Sequence, residues 1–568
     1  MKFDKVSVIS VIIFLLFVFA YDKHLKNKYP HLNQPTPQNV PSPQKSVAPV
    51  PSSPDPVMAP ENNWPNESPA APPPAATPPL VAQDEIIFEN DDVRWHMNPG
   101  TGGFARVELK NYFTDLANGT PVNLVGDHLW TQAVLLGEGL APRSFTVLKE
   151  DRAVTLIRDA ADFKITQSYR FPTTGFTVLW HVTIENTSPT PKPLNLFLAL
   201  ADVIAPPAAV KKNFMLPAIP QGRPSMIALT QSTLDRYDSE KICHNDHTKT
   251  LVKKSPLSLI DLLGFDRYHF ITALLPGRQT AQNQNPPSAE FQSVRGYFSL
   301  YKKPAGPAGS CQLSMFLGQN FGQLGGTQSV EMNVGLFFGP KDYRITQENH
   351  PRLNETIDLG WFGFLAQPLF YVLHFFFDLT GNYGMAIILL TLLLKILFFP
   401  LTRAAAQSMH KSRLLQPELN KIREKYKGDL RTQQQKMMAF MSENKINPMR
   451  GCLPILPQMP VFFALYRVLS TAVELRHAPF VAWLQDLSAP DPYFLTPAFM
   501  AAAMFIQQKL TPQPSGDDLQ KKILLWMPVI FSVMMIGFPS GMVLYMLVNS
   551  IVSIIQQQYF NYILSKKS

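Results

Sequence analysis

The chain has 568 residues, 46% hydrophobic and only 16% charged, with 51 Lys and Arg against 42 Asp and Glu for a formal charge of +9. That length predicts more than one domain, and a basic excess gathered beside apolar runs points to orientation in a membrane rather than to nucleic-acid binding. Three cysteines (Cys243, Cys311 and Cys452) at no metal-ligand spacing, and no Walker motif, argue against a metal or nucleotide enzyme.

Residues 6–21 (VSVISVIIFLLFVFAY) follow Lys2 and Lys5 and read as a signal sequence or a signal anchor, assigned to 1–30. Val18 and Ala20 also suit a cleavage site, but the parity of the later segments favours an uncleaved anchor with its N-terminus inside. Residues 31–83, rich in Pro, Ala, Ser, Asn and Gln, cannot bury enough apolar surface to fold and are expected to be a flexible tether.

From 84 to 347 the pattern turns to period two. In FTVLWHVTIE, Phe176, Val178, Trp180, Val182 and Ile184 share one face, and Thr177, His181, Thr183 and Glu185 the other. Runs such as FARVEL, AVTLIRD and EMNVGLFF repeat this between turn residues, which predicts a large all-β sandwich. Cys243 and Cys311 could pair if this domain is exported, and the residues leave that open. Cys243-His244-x-x-His247 lacks further ligands at zinc spacing and reads as a polar loop, and PGTGGF at 99–104 lacks the Lys-Ser/Thr of a phosphate loop.

The segment 361–379 is as apolar as a spanning helix, but Gln367, Tyr371, His374 and Asp378 fall at i, i+4, i+7 and i+11. One polar stripe of that kind predicts an amphipathic helix, within 357–380, lying along the membrane surface. Next, MAIILLTLLLKILFFPLT (385–402) is expected to span as one helix, with Lys395 in its second half and Thr391 one turn earlier on the same face. An intramembrane lysine is disfavoured by roughly 2.5–3.5 kcal/mol. Arg403 already marks the boundary, about 12 Å further along a helix. A functional charge is therefore preferred to a snorkelling one.

Residues 403–450 carry 11 Lys and Arg against 4 acids and belong on the cytoplasmic side. Leu415, Leu419, Ile422 and Tyr426, and then Leu430, Gln434, Met437 and Met441, give two helical stripes turned at Gly428-Asp429. The hairpin's cations include Arg403, Lys411, Arg413, Lys421, Arg423 and Lys425, a charge suited to acidic headgroups or ribosomal RNA. Four further spans are expected at 452–473, 493–510, 524–539 and 541–562, and a basic tail at 565–568. Loop charges then give six crossings, both termini in the cytoplasm and the β-domain outside.

Polar residues recur within these spans: Thr391 and Lys395, then Gln458, Gln507 and Gln508, and Asn549, Ser550 and Ser553. In hydrocarbon each needs a partner or water, so together they predict a hydrated pocket opening inward, with one positive charge. No carboxylate ring, proton-relay acid or inverted repeat supports the alternative, a channel or transporter.

The stretches TLLLKILFFPLT, LLQPELNKIREKY, NPMRGCLPILPQMPVFFALYRVLSTAVELRHAPF, WLQDLSAPDPYF, WMPVIFSVMMIGFPSGMVLY and IVSIIQQQ resemble the YidC-type membrane protein insertases of Gram-negative bacteria, almost without a gap over 361–564. The resemblance implies a polytopic α-helical inner-membrane protein of six transmembrane helices, five of them (381–564) forming an insertase core. It also implies a periplasmic β-super-sandwich and an interfacial helix. A positively charged groove open to the cytoplasm would receive the acidic tail of an incoming protein, with Lys395 where the family usually has arginine, and Thr391 and Tyr545 at further groove positions. The implied partners are nascent membrane proteins, the Sec translocon, the ribosome and the phospholipid bilayer, with no cofactor, no catalysis and no specific nucleic-acid sequence. Tyr545-Met546 departs from members with two successive tyrosines, so no aromatic ring stands at 546.

Overall fold

The computed structural model describes residues 85–565, except 100–101, 116–118, 126–128, 136–144, 205–223, 232, 245–250, 256–257, 278–293, 305–310, 351, 427, 445–454 and 511–517. The expected anchor, the tether, Cys452 and the last three residues of the tail lie outside the described residues. The chain divides into two compact units whose sequence boundary falls between Ile357 and Asp358.

The first unit contains the β-strands β1 (Ile86–Glu89), β2 (Val93–Asn98), β3 (Gly103–Asp115), β4 (Thr120–Asn123), β5 (Leu129–Leu135), β6 (Thr146–Lys149), β7 (Ala153–Ala160), β8 (Phe163–Arg170), β9 (Thr177–Asn186), β10 (Lys192–Ile204), β11 (Ser225–Thr230), β12 (Leu234–Asp238), β13 (Leu251–Lys254), β14 (Ser258–Arg267), β15 (Phe270–Pro276), β16 (Val294–Pro304), β17 (Cys311–Leu324) and β18 (Ser329–Pro340). All their pairings are antiparallel. One sheet runs β1-β2-β3-β5-β10-β17-β16-β13, with β4 also on β3. The other runs β6-β7-β8-β9-β18-β15-β14-β11-β12. On β9 the alternation reads directly as packing: Val178, Trp180, Val182 and Ile184 are buried, and Trp180 stacks on Tyr169 of β8. Phe104 of β3 meets Phe338 of β18 at 5.0 Å between centroids, which puts the aromatic core between the sheets.

A short helix, α1 (Ser239–His244), carries Cys243, which is disulfide-bonded to Cys311 at the start of β17, with Cα atoms 5.9 Å apart. The pairing left open by the sequence is therefore made, and it takes the Cys243 sulfur out of any metal site. Helix α2 (Tyr343–Asn349) and a 3-10 turn (Leu353–Thr356) close the unit. Its buried acids are paired: Asp266 with Arg236 and Lys341, Asp202 with Arg267, and Asp261 with Arg352. Burial of such charges is tolerated because each keeps a partner.

The second unit is helical: α3 (Gly363–Thr380), α4 (Tyr383–Leu397), α5 (Phe399–Leu414), α6 (Gln416–Lys425), α7 (Leu430–Glu443), α8 (Ile455–Thr471), α9 (Leu495–Leu510), α10 (Asp518–Met534) and α11 (Ser540–Ser565). The stretch expected as one span over 385–402 is not a single straight helix. It breaks at Phe398, and α4 and α5 meet at a bend of 60°. Pro400 is the physical reason: it has no N–H to give to the carbonyl of Ile396, and its ring crowds that carbonyl. Lys395 and Arg403 are therefore not joined by about 12 Å of continuous helix.

Among the described residues, Ser540–Leu564 alone is long and apolar enough to cross a bilayer, with the bent α4–α5 pair as a second if taken as one span. Helices α8, α9 and α10 have 17, 16 and 17 residues. At 1.5 Å per residue these described lengths are roughly 25 Å, and each helix adjoins residues outside the described ones. On α3, one face is buried through Leu365, Leu369, Phe370, Val372 and Leu373, while Phe364, Phe375 and Leu379 are exposed. His374 of the expected polar stripe turns inward, since a partner is waiting there.

The basic hairpin forms from α6 and α7, with Asp429 in the turn accepting from the amides of Arg431 and Thr432, both at 3.1 Å. Lys421, Arg423 and Lys425 lie on α6, whereas Arg403, Lys411 and Arg413 lie on α5, which runs on from the bend.

Candidate functional site

Lys395 stands in the last turn of α4, between buried Leu394 and Ile396, which is 71% exposed. Its Nζ donates to Ser553 Oγ at 2.6 Å. Ser553 belongs to a stripe on α11, because Tyr545, Asn549 and Ser553 at i, i+4 and i+8 share one helix face. The Ser553 hydroxyl donates to the Asn549 carbonyl at 2.8 Å, and the Asn549 Oδ1 accepts from Gln458 Nε2 of α8 at 3.1 Å. Gln458 also hydrogen-bonds Tyr545, whose ring is buried. One polar chain thus ties α4, α8 and α11 together. Among the described residues no carboxylate pairs with Lys395.

Of the expected groove residues, Lys395, Gln458, Tyr545, Asn549 and Ser553 come together. Thr391 is buried, and its hydroxyl donates to the Ile387 carbonyl of its own helix at 2.7 Å. Gln507 lies on α9, partly buried. Sequence reasoning missed how the stripe is keyed to Lys395, although the spacing of four on α11 was there to be read.

The other end of the bundle, where α4 begins, is closed by residues 472–495, of which 474–492 were expected only as the loop between two spans. Asn382 caps α4 by accepting from the amide of Met385 at 3.1 Å and donates to the carbonyls of Pro479 and Phe480. Glu474 of the 3-10 turn Val473–Leu475 faces His374 of α3, with 3.5 Å between Oε1 and Nε2. Burial pulls Arg476 below the usual arginine range, opposed by the charge of Asp486. At Asp491, burial alone would push the carboxyl up. Hydrogen bonds from the hydroxyl and amide of Thr496, the amide of Tyr493 and the indole of Trp483 outweigh it and hold the group below the usual carboxylate range. Ser540, which opens α11, donates to the carbonyl of Asp486 at 2.7 Å.

Comparison with known proteins decides the family. A family model described as the YidC periplasmic domain matches residues 85–372, and one described as the 60Kd inner membrane protein matches 375–567. The membrane protein insertase YidC of Geobacter metallireducens is 33% identical over 577 residues, covering 98% of each chain. The chain belongs to the YidC family. The YidC of Geotalea daltonii is 50% identical over 234 residues, a stretch that makes up 41% of this chain and only 44% of that protein. A crystal structure described as an active YidC insertase covers 85% of this chain and 94% of its own at 17% identity, with a TM-score of 0.36. YidC proteins are inner-membrane proteins with a periplasmic domain, and this chain accordingly has a β-sandwich unit followed by a helical C-terminal region.

Proposed function

We propose that this protein inserts other proteins into the bacterial inner membrane and helps them fold, alone or with the Sec translocon. Six crossings are proposed, formed by the anchor at 1–30, the α4–α5 segment, α8, α9, α10 and α11. Both termini and the 403–450 segment lie in the cytoplasm, and the β-sandwich lies in the periplasm. The observation that carries the reading is the Lys395 ammonium, held by Ser553 without a described carboxylate partner.

In this reading Lys395, Thr391, Gln458, Gln507, Tyr545, Asn549 and Ser553 line a hydrated groove. An acidic tail entering a bare bilayer meets a large desolvation barrier, and a fixed countercharge with polar neighbours lowers it. Burial of the client's apolar helix, at about 25 cal/mol per Å², then drives release into the lipid. No cofactor or fuel enters. The cations of α5 and α6 meet the nascent chain, the ribosome or anionic headgroups first.

Lys395→Glu is expected to fail in supporting growth when the chromosomal insertase is depleted, whereas Lys395→Arg supports it. Photo-crosslinkers on α4 and α11 should capture a stalled nascent chain. Normal growth with Lys395→Glu together with no crosslink would remove the reading.

A further inference from the structure

Ser553 has one hydroxyl proton, and the geometry commits it. The hydroxyl donates to the carbonyl of Asn549, one turn back, at 2.8 Å, so only oxygen lone pairs remain for Lys395 Nζ at 2.6 Å. An ammonium has three N–H donors and no acceptor, so Lys395 spends one on Ser553 and, among the described residues, no hydrogen bond takes the other two. Asn549 is in turn pinned to α8 by Gln458. We infer that Ser553 is a positioning residue: it fixes where the charge of Lys395 sits and aims its remaining donors at an incoming carboxylate.

The need for such a residue follows from lysine itself. Its flexible four-carbon stem carries a compact charge with no preferred plane, and an untethered ammonium at this point is free to follow exposed Ile396 outward. A guanidinium, planar and with five donors, would depend less on one hydroxyl. Ser553 thus makes a lysine serviceable at a place where geometry matters. The inference rests on the countercharge reading of Lys395.

The test uses the full-length protein in proteoliposomes, with a single-span client bearing an acidic tail and the same client with a neutral tail. Ser553→Ala is expected to slow insertion of the acidic client by roughly tenfold or more, the scale of one hydrogen bond to a charged group, and to spare the neutral one. Ser553→Thr, which keeps the hydroxyl, restores it. An unchanged acidic client, or equal losses for both clients, overturns the inference. Lys395→Ala separates the two readings: if it too leaves the acidic client unaffected, the countercharge itself is wrong. If Lys395→Ala alone slows that client, only the positioning role falls.

Discussion

His374 of α3 and Glu474 beyond α8 face each other across the closed end of the bundle, Nε2 to Oε1 at 3.5 Å, with both side chains largely withdrawn from solvent. The imidazole is held on its other side by Phe370, ring to ring at 4.5 Å, and by the Tyr383 hydroxyl, 3.4 Å from Nδ1. Removing the imidazole leaves a buried carboxylate short of a neighbour. His374→Ala should therefore lower stability by about 1–3 kcal/mol, read as a drop in the thermal unfolding temperature in detergent. Glu474→Gln should cost less, because an amide is easier to bury than a charge. Equal melting of His374→Ala and the unsubstituted protein would count against the pairing.

Gly384 lies directly beneath Phe480. A Cβ built there would meet the ring at 2.0 Å and the Phe480 Cβ at 2.7 Å, so neither a rotamer change nor a small shift clears it. Gly384→Ala should destabilise by about 1–3 kcal/mol. A second change, Phe480→Ala, should recover part of that loss in the double variant, which melting of the four proteins would measure.

Acid should weaken the β-sandwich through His350. Burial, and secondly the charge of Arg352, pull its pKa down to about 4 from 6.5. The folded state therefore keeps this ring neutral while the unfolded chain takes up a proton. Stability is intact above pH 6.5, falls as pH drops toward 4, and levels off below, a loss of roughly 3 kcal/mol in all. Chemical unfolding followed at a series of pH values should show this slope, and His350→Asn should flatten it.

Reduction should also weaken the sandwich. The Cys243–Cys311 bridge closes a separation of 68 residues. Loop-closure entropy alone assigns it about 4 kcal/mol. Cys243→Ser, or treatment with a thiol reductant, should lower the unfolding temperature of the full chain, and reductant should have no further effect on Cys243→Ser.

The alternation around Trp180 made the sandwich legible, because a strand buried on one face must write period two into its residues. The charge of Lys395 was legible for a similar reason: in an apolar run a single ammonium is conspicuous. The break at Phe398 was not foreseen, although Pro400 announced it, because hydropathy alone does not distinguish a straight helix from a bent one. His374 was assigned to one polar stripe with Gln367, Tyr371 and Asp378, since helical spacing says which residues share a face, not what stands opposite. Its partner, Glu474, lies 100 positions away in a segment with no periodic signal. The pairing of Cys243 with Cys311 likewise depends on where α1 lands on the sheet, which no local pattern encodes.

The bend at Phe398 also bears on how a cation survives where Lys395 stands. The Phe398 amide still reaches the carbonyls of Leu394 and Ile396, but the regular ladder of α4 stops there, and its aligned dipoles give that terminus about half a negative charge. Lys395 lies within the final turn, where such a field favours a cation by about 0.3–1 kcal/mol, and up to ~2 kcal/mol when partly buried. Were the helix to run straight on into α5, its C-terminal end would lie turns away from Lys395 and the field at the ammonium would weaken. The kink is thus an electrostatic element: backbone, rather than an acidic side chain, tempers the charge and leaves it uncancelled.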